Sequence, residues 1–184
     1  MTEEERGRGE VTFEKAKFTL QKVRERLQNA GPGGTSPAAP AKVQVTWAGE
    51  HRFDTARPGG PVMRLDGSAN TGQSPVDALL SALAACIAID VVDILQKRKT
   101  PMTSMTAEVT AQRATTVPRR LTSVRLDWHI DGPDIDRENA ERAIELSMTK
   151  YCSVHDSLAH DIAIEWTLTL QGQAGQVKTD PTRV

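Results

Sequence analysis

Aromatic side chains make up only 4% of this 184-residue chain, so any core must be assembled from Ala, Val, Leu and Ile. Cysteine is equally scarce. Cys86 and Cys152 are the only two, which excludes a disulfide framework of the kind that staples small secreted domains. An excess of one charge is missing too: 23 basic residues face 24 acidic ones, and no basic patch is interleaved with aromatics, so no nucleic-acid partner is expected. The opening MTEEERGRGE has no apolar h-region, and its acidic residues are unlike a transit peptide. Asp77, Asp90 and Asp93 interrupt the apolar run Val76–Leu95, so no membrane partner is expected either. These absences point to a cytoplasmic protein whose thiols are held reduced.

What is present divides the chain into three parts. In residues 1–41, Phe13, Ala16, Leu20, Val23 and Leu27 recur in steps of three and four, the seam of an amphipathic helix marginal by itself. GPGGTSPAAPA (Gly31–Ala41) then reads as a flexible linker. Residues 42–172 carry the pattern βββ-α-ββ-α-β, which predicts an α+β domain and not a doubly wound sheet. Strands are expected over Lys42–Trp47, His51–Thr55, Val62–Leu65, Met105–Arg113, Thr122–Asp131 and Ile162–Gln171. Trp47, Trp128 and Trp166 sit in the apolar phase of their strands and are expected in the core. Residues 173–184 read as a polar tail.

Two helices connect these strands. Ser74 is a good N-cap, Pro75 suits the first helical position and Asp77 completes a capping-box-like start. This helix should run to about Lys97, ahead of Pro101, and it is apolar on nearly every side. Ala82, Ala84, Ala85 and Ala88 leave room for another backbone, as in a helix packed against a partner. The second helix starts at the N-cap Asp136 and extends to about Lys150.

Each cysteine follows one of these features. Cys86 lies within SPVDALLSALAACIAIDVVDILQ, about three turns from the helix start, beyond useful reach of the helix dipole. A thiol buried among Ala, Ile and Leu is ordinarily inert and becomes reactive only beside a cation, for which Arg52, Arg57 and Arg64 are the candidates. Composition alone favours a small core residue. Cys152 lies in KYCSVHDSL, where His155 is placed to lower its pKa or shuttle a proton. His155, His160 and the two cysteines also suggest a zinc set, but the C-x2-H-x4-H spacing lacks a second anchor, and polar loop histidines explain it better. Asp90, one turn after Cys86, is expected at a polar interface contact or in solvent.

QSPVDALLSALAACIAIDVVDIL (Gln73–Leu95) and KYCSVHDSL (Lys150–Leu158) resemble the two cysteine motifs of the OsmC/Ohr family, and the IDVVDIL continuation is most similar to its YhfA-like branch. The resemblance spans roughly Lys42 to Gly172. It implies an intertwined homodimer, with two central helices wrapped by antiparallel sheets and sites at the subunit interface. It further implies that Cys86 is peroxidatic and Cys152 resolving in the reduction of organic hydroperoxides, with no bound cofactor and an external dithiol of lipoyl type as reductant. The peroxidase branches carry a glutamate directly after the helix-opening proline, paired with an arginine from the N-terminal strands. Here that position is Val76, and Asp77 is turned about 100° away. Arg52 is the preferred cation, with Asp77 and His155 as further support for the thiolate or peroxide. The alternative implied by Val76 is a dimeric module that binds a small apolar ligand or senses oxidants without turnover.

Overall fold

The computed structural model describes residues 39–183, so the helix expected over Phe13–Leu27 lies outside the described residues, as does most of the linker. Two sheets carry the domain. The first is antiparallel, in the order β1 (Gln44–Trp47), β2 (Arg52–Ala56), β3 (Met63–Asp66). The second runs β4 (Ser104–Arg113), β5 (Leu121–Asp131), β6 (Ala163–Leu170), β7 (Gln173–Ala174), with β8 (Lys178–Thr179) also pairing to β6. This is the α+β class expected from the sequence.

β5 and β6 pair in parallel, which no tight turn can accomplish. The crossover is made by α2 (Arg137–Leu146), a π-helical turn over Ser147–Tyr151 and the short α3 (Ser153–Asp156). The long α1 (Pro75–Lys97) packs against all three. The second helix was expected to run unbroken to Lys150. It widens because the Cys152 amide bonds the Ser147 carbonyl five residues back, at 2.8 Å. The Thr149 hydroxyl meanwhile bonds the Glu145 carbonyl at 2.7 Å.

Alternation along β5 and β6 turns Val124, Leu126, Trp128 and Ile130, and Ile164, Trp166, Leu168 and Leu170, into one buried face. Leu83, Ile87, Val91 and Leu95, four residues apart along α1, complete that core. Burying each contributes roughly 1.5–3 kcal/mol. By length and composition α1 is also apolar enough to cross a membrane; in this fold its Leu83–Leu95 stripe belongs to the domain core.

Two expectations are corrected here. Trp47 is not in the domain core. It is 66% exposed, on the same face of β1 as the exposed Val45, with exposed Val43 just ahead of the strand, and its indole Nε1 donates to the Glu50 carbonyl at 2.9 Å. Residues 173–183 are not a free tail: β7 and β8 pair with β6, and Asp180 and Arg183 are buried.

The entrance to α1 is built with equal care. Asp66 accepts from the amides of Ser68 (2.8 Å), Asn70 (3.3 Å) and Thr71 (2.9 Å) and from the Thr71 hydroxyl (2.8 Å). These bonds pull its carboxyl down to about 2. Gly72 is required where the loop crosses β3, because a Cβ there would stand 2.4 Å from the Arg64 carbonyl oxygen. The loop thus delivers Ser74 to its capping position. Its hydroxyl accepts from the Asp77 amide at 3.2 Å, and the Asp77 carboxylate accepts from the Ser74 amide at 3.1 Å.

Candidate functional site

The fold brings the two cysteines together. Cys86, midway along α1, is half-buried, and Cys152, at the end of the π-turn, is 2% exposed. Both are free thiols; Cys86 packs against the core cluster that includes Cys152 and lies near enough to affect its ionisation. Burial foremost, and then the Cys86 thiol, push Cys152 up to about 12, although the His155 amide donates to its sulfur at 3.3 Å. That last contact makes Cys152 the N-cap of α3, with sulfur in the place usually taken by a hydroxyl or carboxylate oxygen.

On α1, Cys86 falls in the row Leu79, Ala82, Cys86, Ile89, spaced three and four apart. This row faces away from the Leu83–Leu95 core stripe. Leu79 and Ile89 are 40% and 47% exposed. Cys86 therefore lies between the neighbourhood of Cys152 and an apolar row that the chain leaves uncovered. Beside Cys152, a shallow cavity of about 290 Å³ is lined by Met148, Thr149, Lys150, Tyr151, Ser153 and Asp156.

The other expected site residues are placed elsewhere. Arg52 is engaged within its own turn, its Nη2 3.2 Å from Glu50 Oε2 and its Nε donating to the Gly49 carbonyl at 3.4 Å. Arg64 forms a two-pronged pair with Asp54, at 2.8 and 2.9 Å. Arg57 is exposed in the β2–β3 turn. Asp77 is exposed and committed to the Ser74 capping box, while the neighbouring Val76 packs at the edge of the core. Asp90, expected at an interface or in solvent, accepts from the buried Ser147 hydroxyl at 2.7 Å and so ties α1 to the π-turn.

His155 is buried, and its ring does not face the thiol. Nε2 donates to Asp180 Oδ2 at 2.5 Å, while Arg183 Nε lies 3.3 Å from Nε2 and Arg183 Nη2 3.5 Å from Nδ1. Burial by itself would raise the Asp180 carboxyl. Hydrogen bonds from His155, the Thr182 amide and the Thr182 hydroxyl outweigh it and hold the group below the usual carboxylate range. With its ring spent in this way, His155 is no free proton carrier for Cys152. His160 is exposed, and among the described residues no three His, Cys, Asp or Glu side chains converge as a metal set would. Asp180 and Arg183 were not foreseen from the sequence. The signal available was weak: a single acid and a single arginine in a segment with no apolar periodicity.

The fold and the segment that carries both thiols have known relatives. A family model described as OsmC-like protein matches residues 67–167, which include both cysteines. Protein YhfA of Escherichia coli strain K12 is 33% identical over 114 residues, 61% of this chain and 85% of that protein. The OsmC-like protein of Mycoplasma pneumoniae superimposes with a TM-score of 0.64 at 20% identity, covering 73% of this chain and 99% of that one. An organic hydroperoxide resistance protein of Legionella pneumophila shares the fold with a TM-score of 0.54 at 12% identity, covering 73% and 99%. With its matched segment holding both thiols, α1 and the β5–β6 crossover, the chain belongs to the OsmC-like protein family.

Proposed function

We propose that this protein reduces organic hydroperoxides with its two thiols, Cys86 attacking and Cys152 resolving. The observation that carries the reading is the unlike state of two neighbouring thiols. Cys152 is sealed and holds its proton up to about 12, so it is a poor first nucleophile; Cys86 is half-buried and borders an apolar row suited to an alkyl chain. The Cys86 thiolate attacks the terminal oxygen of the hydroperoxide. The O–O bond breaks, the leaving alkoxide takes a proton as alcohol, and Cys86 becomes a sulfenic acid. Cys152 sulfur then attacks Cys86 sulfur, the S–S bond forms and water leaves. An external dithiol reduces the disulfide by exchange and is itself oxidised to a disulfide. The cavity beside Cys152 offers a place for that dithiol to dock near the disulfide.

We place this reaction in a homodimer of the cytoplasm, with no bound cofactor. Support for the dimer comes from the uncovered apolar surface: the Leu79–Ile89 row of α1, and Val43, Val45 and Trp47 on β1. Val76 and the occupied state of Arg52 and Arg64 favour a second reading, a dimer that binds an apolar ligand or registers oxidants through the same thiols without turnover.

Consumption of a dithiol in the presence of an alkyl hydroperoxide tests the choice. The peroxidase reading expects steady turnover that Cys86→Ser abolishes, with sulfenic acid accumulating in Cys152→Ser. One oxidation event per chain, with no recycling by dithiol, selects the second reading.

A further inference from the structure

The strap formed by residues 173–183 converges on one place. Asp180 and Arg183 have fully buried side chains, and burial of charge is costly unless every charge finds partners. Those partners lie within the strap or on the turn that holds Cys152. Arg183 Nη1 donates to the carbonyls of Leu158 (2.9 Å) and Ala159 (2.7 Å), and Nη2 donates to the carbonyl of His155. Asp180 accepts from the His155 ring at 2.5 Å and stands 3.7 Å from Arg183 Nε. These bonds grip α3 at one end, and Cys152 caps it at the other. A helix of four residues has too few internal bonds to hold its own shape. On its other flank is a π-turn, a geometry retained only where its surroundings enforce it.

We propose that Asp180 and Arg183 are positioning residues for the thiol pair: acting through His155 and the carbonyls that end α3, they hold the Cys152 sulfur against Cys86 and set how readily the disulfide closes. The proposal rests on the two-thiol reading above, and it concerns only the closing step. In that step Cys152 sulfur bonds to Cys86 sulfur as the S–O bond of the sulfenic acid breaks, and hydroxide departs with the Cys152 proton as water. Neither positioning residue meets peroxide. Both lie outside the segment matched by the family model.

Two measurements on the full chain test it, in wild type, Arg183→Lys, Arg183→Ala and Asp180→Asn. Equilibration in mixtures of reduced and oxidised glutathione gives the effective concentration of Cys152 toward Cys86 without any peroxide. Single-turnover reaction with cumene hydroperoxide, read by intact mass, separates oxygen addition at Cys86 from the later loss of water. The expected result is an effective concentration and a closure rate lowered roughly ten- to a hundredfold in Arg183→Ala and Asp180→Asn. Arg183→Lys should fall between these and wild type, and oxygen addition should keep its wild-type rate. A clamp that served stability alone would lower the urea midpoint and leave both thiol readouts unchanged. If the alanine and asparagine variants do not fold, Arg183→Lys decides: a folded lysine variant with wild-type effective concentration overturns the proposal. Wild-type protein that closes no disulfide in glutathione also overturns it. Wild-type protein that closes the disulfide but ignores cumene hydroperoxide fails the peroxidase reading instead, and the glutathione measurement still judges the strap.

Discussion

At the scale of single residues, the decisive contrast is between two thiols of identical chemistry in unlike surroundings. Burial pushes the Cys152 thiol up to about 12 and keeps it protonated at pH 8, whereas Cys86 is half-buried beside open apolar surface. Alkylation of the reduced protein with iodoacetamide at pH 8 should therefore modify Cys86 first and leave Cys152 unmodified until the protein is denatured. Equal rates, measured by peptide mass spectrometry, would contradict the assignment of roles. Asp66 makes a second residue-scale prediction. Its carboxyl lies below the ordinary value near 3.9, so the stability it contributes is present above that value and is lost as pH falls through about 2. Asp66→Asn should lower the urea midpoint at pH 7, and the gap between variant and wild type should narrow as pH drops toward 2.

At the scale of elements, α1 has two apolar faces with different fates. Ile87 is sealed in the core, and Ile87→Ala should cost about 2–5 kcal/mol in urea denaturation. Ile89, two residues on, is 47% exposed, and its truncation should cost the protomer itself little, within about 0.5 kcal/mol. The sequence made the existence of α1 and its start legible, because Ser74, Pro75 and Asp77 act locally and the cap they predict is the one formed. It also made the strands legible wherever alternation met burial, as along β5 and β6. It could not separate the two faces of α1, since a helix apolar all round carries no period that marks inside from outside. The π-turn was hidden for a related reason: its cause is a hydrogen-bond shift at Cys152 together with the Ser147–Asp90 contact between helices, neither of which leaves a local pattern. The strap was missed because a buried His–Asp–Arg cluster depends on residues 25 and 28 positions apart meeting in space. Of the site, the two cysteines were readable as motifs, but their nearness was not, and Asp77 and His155 carried a stronger local structural use than the chemical one expected of them.

At the scale of the whole molecule, a small aromatic content leaves few large side chains to seal a core, yet Trp47 is spent on the surface. Together with Val43, Val45, Leu79 and Ile89 it is exposed apolar surface, and the proposed dimer would cover it. Ile89→Glu should accordingly halve the mass found by light scattering while circular dichroism stays unchanged; a native mass unaffected by the charge would place the interface elsewhere. The central claim is that the domain couples peroxide reduction at Cys86 to disulfide closure with Cys152. Its most direct test is single-turnover oxidation of the fully reduced protein by cumene hydroperoxide and, in parallel, by hydrogen peroxide, with intact mass as the readout. Fast loss of two hydrogens is expected, faster with the organic peroxide, and abolished by either Cys86→Ser or Cys152→Ser. Absent oxidation, or oxidation that proceeds equally without Cys86, would contradict it.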